Sequence, residues 1–180
     1  AAIYGPKMDF MATDALGRKF QLATVQLDYA QPERFELEYT SEDGSKKRPV
    51  MIHCALLGSI ERSMSIIIEH YAGWFPFWLA PEQLRILTIN DTVLDYVDEI
   101  EAVLNDTVLM QPIRYNELRF TVDDRNESLG KKIREATTAK IPVQLIVGGQ
   151  DKEAREVSVR TQQGEQKVAL SGLSDYLKSL

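Results

Sequence analysis

The residues with chemistry to offer lie in two short stretches. In PVMIHCALLGSIERSMSIIIEHY, residues 49–71, a lone histidine, a Gly-Ser pair and a Glu-Arg pair interrupt an apolar segment. The His53 imidazole suits metal ligation or proton transfer, yet a single histidine beside Met51, Ile52, Ala55 and Leu56 is more often a hydrogen-bonded core residue. His70 sits in the following segment, and Cys54 points to the opposite strand face, so no local zinc chelate forms. Ser59 and Ser63 lack a Gly-x-Ser-x-Gly elbow, and neither histidine has a marked acidic orienter, which leaves a hydrolase triad unsupported. What remains is Gly58-Ser59-x-Glu61-Arg62. Glycine permits close backbone approach, Ser59 can donate a hydrogen bond, and Arg62 offers a planar fork for phosphate or for stacking on a purine. A solvated helix start explains Glu61 and Arg62 equally well.

The second stretch, DDRNESLGKKIREA at residues 123–136, reads as a strand end, a loop and a helix start. Donors and acceptors at such an edge, beside the positive end of a helix, suit polar bases and phosphates. Lys131, Lys132 and Arg134 are balanced by Asp123, Asp124, Glu127 and Glu135, so a salt-bridged surface helix is the competing reading. Arg160 reads by itself as an ordinary exposed strand residue.

The elements that must position these residues change character along the chain. From Lys7 to Ala55 the pattern predicts two antiparallel hairpins, with turns at DALG and SEDG and alternating runs KFQLATVQLDY and RFELEY. Ile60, Met64, Ile67, Ile68 and Tyr71 then form one helical stripe ended by Gly73, which predicts a buried helix. GWFPFWLAPEQ is a proline-interrupted connector, and the domain boundary is expected near Pro81, giving domains 1–80 and 81–180. Beyond it, strands LRILTI, LRFTVDD, VQLIVGG and VSVRT alternate with three helices, the first capped by Asp91. The fold class is therefore α/β with an α+β N-terminal part: a partial antiparallel sheet followed by a small mixed or parallel α/β domain.

Composition narrows the function classes. The 180 residues carry 44% hydrophobic residues and a net charge of -6, enough apolar content for an ordinary core and too acidic for a protein whose whole surface grips nucleic acid. Any nucleic-acid role is local. One cysteine excludes an internal disulfide and fits a reducing compartment, so the cytoplasm is expected. No apolar run reaches the roughly 20 residues of a membrane span, and no membrane partner is expected. The opening AAIYGPKMDF begins within strand-like sequence, as a piece of something longer would.

YGPKMDF, DALGRKFQLATVQLDY, PERFELEY, KKRPVMIH, LLGSIER, HYAG, FPFWLAP, DDRNESLGKKIREA and IPVQLIVGG follow one another in an order that closely resembles the C-terminal part of the threonyl-tRNA synthetase family of class II aminoacyl-tRNA synthetases. PVMIH followed by LGSIER points to the threonyl branch, whereas DxRNE with GKKIREA is shared with the prolyl, glycyl and histidyl branches. The resemblance implies the end of a class II catalytic domain and an anticodon-binding domain. It identifies LGSIER as motif 3, with Arg62 catalytic and against ATP. It also implies ATP-side roles for Lys7 and Gln21, and threonine-pocket roles for Tyr4, Gln26 and Ser59. His53 is implied as one of three zinc ligands, the others lying upstream, and Arg125, Asn126, Glu127, Lys131, Arg134 and Arg160 as anticodon contacts.

The partners so implied are tRNA(Thr), ATP with Mg2+, threonine and, in the intact enzyme, a second subunit of a homodimer. The parent enzyme would activate threonine with ATP and ligate it to tRNA. These 180 residues alone are expected to be inactive, since motifs 1 and 2 are outside them. The alternative is a stand-alone anticodon-binding module or a paralogue without aminoacylation. Cys54, where arginine is common, Gln162 and Gln163, where basic residues are common, and a long connection over residues 105–120 depart from the family pattern.

Overall fold

Alternation sets the first sheet. KMDFMAT and KFQLATVQLD form β1 (Lys7–Thr13) and β2 (Lys19–Asp28), joined through a turn in which Asp14 Oδ1 accepts hydrogen bonds from the Leu16 and Arg18 N–H groups. A short helix α1 (Ala30–Arg34) and a two-residue ladder of β3 (Tyr39–Thr40) with β4 (Lys46–Lys47) precede β5 (Met51–Ala55). The computed structural model describes residues 3–107 and 117–180 and separates into two compact units, Ala1–Ile67 and Ile68–Leu180.

In the first unit the sheet order is β1-β2-β5, antiparallel throughout. Lys7, Gln26 and His53 are in register across the three strands, as are Met8, Val25 and Cys54 one residue on. Directly opposed residues share a face, so the sheet has a polar side with Lys7, Asp9, Thr24, Gln26 and His53 and an apolar side with Met8, Val25, Leu27 and Ile52. A β-bulge interrupts the ladder between Phe10 and Met11. RFELEY does not form the expected strand. Asp28 Oδ1 takes the N–H groups of Ala30 (2.9 Å) and Gln31 (3.0 Å), which starts α1, and Glu36 turns the chain at φ +53°, leaving only Tyr39 of that run in a ladder.

The stripe from Ile60 does form a helix, α2 (Ile60–Tyr71), but none of its residues is buried. Ile60, Met64 and Ile68 stay exposed. Amphipathicity records a face suited to burial and does not supply the surface that covers it.

The second unit holds β6 (Leu84–Thr88), α3 (Leu94–Asn105), β7 (Phe120–Asp123), α4 (Leu129–Thr138), β8 (Val143–Val147), α5 (Gly149–Ala154), β9 (Glu156–Thr161), β10 (Gly164–Ala169) and α6 (Leu173–Lys178). Its sheet order is β10-β9-β8-β6-β7. β7 and β8 flank β6 in parallel, while β8–β9 and β9–β10 are antiparallel, so the sheet is mixed rather than wholly parallel. One face buries Leu84, Ile86, Val143, Leu145 and Val159 with Tyr96, Ile100 and Leu104 of α3 and Leu173 and Leu177 of α6. Asn90, not Asp91, caps the approach to α3, accepting the Thr92 N–H at 3.1 Å before a 3-10 turn over Asp91–Val93. Among the described residues every buried hydrophobic side chain except that of Pro32 lies at Phe77 or later. The long connection expected over residues 105–120 falls largely outside the described residues. Among those described, no helix is long and apolar enough to cross a membrane.

Candidate functional site

On the polar side of the first sheet, Asp9 joins Lys7 and Gln21, the residues for which the resemblance implies ATP-side roles. Lys7 Nζ lies 2.7 Å from Asp9 Oδ2, and Asp9 Oδ1 accepts from Gln21 Nε2 and Thr24 Oγ1, both at 2.8 Å. Gln21 Nε2 also reaches Thr24 Oγ1 at 2.7 Å. The Lys7 ammonium and then the Thr24 hydroxyl hold the Asp9 carboxyl below its usual range, against a smaller upward push from desolvation. Gln21 has odd parity on a strand whose polar residues Thr24, Gln26 and Asp28 are even. The bulge removes the conflict: beyond it Gln21 pairs with Met11, which shares the face of Lys7 and Asp9.

His53 has an acidic partner that its sequence neighbours conceal. Its Nε2 lies 2.7 Å from Asp28 Oδ2, and Asp28 is fully buried. This corrects the expectation that neither histidine has an acidic orienter. Burial pushes the Asp28 carboxyl up, but the Gln31 N–H, the His53 ring and the Ala30 N–H outweigh it, and the net shift is downward. Asp28 sits two residues beyond Gln26, which opposes His53, so strand alternation places all three on one face. Tyr4 lies nearby, with ring centroids 6.4 Å from His53. The structure thus brings Tyr4, Lys7, Gln21, Gln26 and His53 onto one surface, with Asp9 and Asp28 as supports not foreseen from sequence.

Ser59 and Arg62 open α2. Ser59 Oγ accepts the Arg62 N–H at 3.3 Å, and its hydroxyl also bonds the Glu61 carboxylate, which is held below its usual range by its own backbone N–H and by Ser59. The Arg62 guanidinium has no hydrogen-bond partner among the described residues. Gly58 turns the chain into this helix at φ +67°, and a Cβ there would stand 3.1 Å from Gln21 O, against the bulge. Among the described residues no three His, Cys, Asp or Glu side chains converge as a metal centre. His53 fits as one ligand of such a centre, with one ring nitrogen already engaged by a carboxylate. Cys54 is exposed on the other face, as expected.

In the second unit Arg125 is bound intramolecularly. It forks onto Asp123 at 2.8 and 2.6 Å and reaches Glu135 at 2.6 Å. The pair shifts follow: Arg125 is pushed up by Asp123 and then Glu135, and both carboxyls are pulled down first by Arg125. Glu127 and Lys131 pair at 2.5 Å, whereas Asn126 is exposed and the Arg134 side chain has no partner among the described residues. Arg160 faces Glu165 at 3.4 Å and is in register with Gln144 and, through it, with Arg85. That row meets α4, since Gln144 Nε2 bonds Thr137 Oγ1 at 3.1 Å. Gln144 Oε1 is buried without a partner among the described residues.

Lys132 belongs to neither reading of this stretch. It is 1% exposed, and its ammonium donates to Thr88 O (2.9 Å), Asp123 O (3.0 Å) and Thr88 Oγ1 (3.2 Å). It therefore ties together the carboxyl ends of β6 and β7. The expected balance of this lysine by surface carboxylates is incorrect, because α4 turns positions 132 and 136 toward the sheet.

Residues 1–71 match the family described as tRNA synthetase class II core domain (G, H, P, S and T), and residues 83–180 match the anticodon binding domain. The threonine--tRNA ligase of Gloeobacter violaceus is 53% identical over 161 residues, 89% of this chain and 24% of that protein. The threonine--tRNA ligase of Bacteroides thetaiotaomicron is 47% identical over 180 residues, all of this chain and 26% of that protein. The chain spans about a quarter of the length of these relatives. The structure of the RNA binding domain of threonyl-tRNA synthetase from Cryptosporidium parvum Iowa II superimposes with a TM-score of 0.78 at 33% identity, over 99% of this chain and 44% of that one.

Proposed function

The chain belongs to the class II aminoacyl-tRNA synthetases, joining a piece of their core to their anticodon-binding domain, and from that premise we propose that it is the C-terminal part of a threonine–tRNA ligase. The observation that carries this reading is the register of Lys7, Gln26 and His53 across three strands, with Gln21 brought onto the same face by the bulge. Lys7, Gln21 and Arg62 bind ATP with its Mg2+, Arg62 acting as the catalytic cation beside the phosphates. Tyr4, Gln26 and Ser59 line the threonine pocket, and Gln26 and Ser59 offer it hydrogen-bonding groups that a valine side chain cannot satisfy. His53 holds one position of a zinc ion whose other ligands lie elsewhere in the parent enzyme. When bound, that ion supplies a Lewis-acid contact to threonine. Arg125, Asn126, Glu127, Lys131, Arg134 and Arg160 contact the anticodon of tRNA(Thr). The parent enzyme is a cytoplasmic homodimer, and residues 1–80 and 81–180 are its domain portions, with the boundary inside the segment 72–82 that neither family match includes.

The test is binding of the chain to the anticodon stem-loop of tRNA(Thr) against the same stem-loop with a changed anticodon, at fixed near-physiological salt. Tighter binding to the correct loop, weakened by about 1–3 kcal/mol in Arg160→Ala, is the expected result. Equal binding to both loops would overturn the anticodon assignment.

A further inference from the structure

The Asp28–His53 pair carries an inference about proton placement. Asp28 offers two oxygens to two different tasks. Oδ1 accepts the Ala30 and Gln31 N–H groups, and Oδ2 faces His53 Nε2 at 2.7 Å. The carboxylate is fully buried, so water does not compete for Oδ2, whereas the His53 side chain is 42% exposed. A buried oxygen that accepts in this position requires a proton on Nε2. In the neutral ring the other nitrogen then keeps its lone pair.

We infer that Asp28 is a positioning residue that holds His53 as the Nε2–H tautomer, leaving Nδ1 as the electron-pair donor for a ligand on the polar face. A ring fixed in this way is ready for a metal ion, since metal-bound histidines commonly donate their second N–H to a carboxylate that sets both tautomer and ring orientation. The inference deepens the proposed function and rests on it only for the identity of that ligand. It also gives the start of α1 a second role: the two N–H groups that cap onto Oδ1 hold the carboxylate at the angle that leaves Oδ2 for the imidazole.

The pair makes an unusual prediction for Asp28→Asn. The asparagine keeps its oxygen on the Ala30 and Gln31 N–H groups, because its amide nitrogen cannot accept from them. Its NH2 then falls where Oδ2 was, opposite His53 Nε2. Nε2 becomes the acceptor, and the ring proton moves to Nδ1. One isosteric change thus inverts the tautomer rather than merely loosening it.

Long-range 1H–15N spectra of the ring nitrogens decide the matter at mildly alkaline pH, above the ordinary imidazole range. The chain has two histidines, and His70→Gln assigns the signals. In the unsubstituted chain, one protonated nitrogen at Nε2 and one unprotonated nitrogen at Nδ1 are expected for His53. In Asp28→Asn the two should exchange identities. An Nδ1–H ring, a doubly protonated ring or an averaged pair of signals in the unsubstituted chain would overturn the inference, as would an unchanged tautomer in a folded Asp28→Asn. Should that variant not fold, the unsubstituted spectrum alone decides. None of these outcomes depends on the stem-loop measurement, which tests the synthetase reading separately.

Discussion

Lys131 and Lys132 are adjacent in sequence and opposite in environment. Lys131 pairs in the open with Glu127, an arrangement worth a few tenths of a kcal/mol, whereas Lys132 is buried with three oxygen acceptors and, among the described residues, no carboxylate in ion-pair contact with its ammonium. Lys132→Met would remove the charge while keeping most of the side-chain volume, and would leave the Thr88 and Asp123 carbonyls without that donor. Urea unfolding should show a loss of about 2–4 kcal/mol, given the usual cost of unsatisfied buried groups. A loss below about 1 kcal/mol would mean that the cost of burying the ammonium cancels its bonds. The contrast also marks what sequence could reveal at this scale. Charge counting treats both lysines alike, but the helical spacing of Lys132 and Ala136 separates them. Asp28 was equally concealed. Its partner lies 25 residues away, and only the strand register joins them.

At the scale of elements, Gly58 shows why the Gly-Ser-x-Glu-Arg group has its order. The glycine takes a left-handed turn against the bulged part of β2, Ser59 starts α2, and Arg62 projects from its first turn. Gly17 has a similar φ of +78° but nothing within 4 Å of its missing Cβ. Gly17→Ala should therefore cost only backbone strain, about 1 kcal/mol. Gly58→Ala should cost more, about 1–2 kcal/mol, because its Cβ also meets Gln21 O. Thermal unfolding of the two variants compares them directly, and equal losses would remove the close approach as a cause. Elements with strong periodicity were legible: β1, β2, α3 and α4 all lie where alternation or helical spacing put them. α5 and β10 were not. α5 has six residues, too few for a periodic stripe, and β10 is an edge strand exposed along nearly its whole length, so it shows no alternation.

For the whole molecule, the two units differ in how they hold themselves together. The second encloses an apolar cluster between its sheet and α3 and α6, while the first exposes Met8, Phe10 and Ile52 on its sheet and Ile60 and Met64 on α2. β1 and β5 are also open edges of that sheet. Uncovered apolar surface and unpaired edges favour association between copies. Sedimentation velocity should show species heavier than a monomer as concentration rises, reduced by Met8→Lys with Ile52→Lys; a single monomeric species at all concentrations would contradict this. That Pro32 alone is a buried apolar side chain before Phe77 among the described residues also has a temporal meaning. Translation proceeds from the N-terminus, so the polar face bearing Lys7, Gln26 and His53 leaves the ribosome before the core-bearing unit does. During that interval its strands cannot draw on the apolar cluster of the second unit, so whatever covers Met8, Phe10 and Ile52 at that stage comes from outside it.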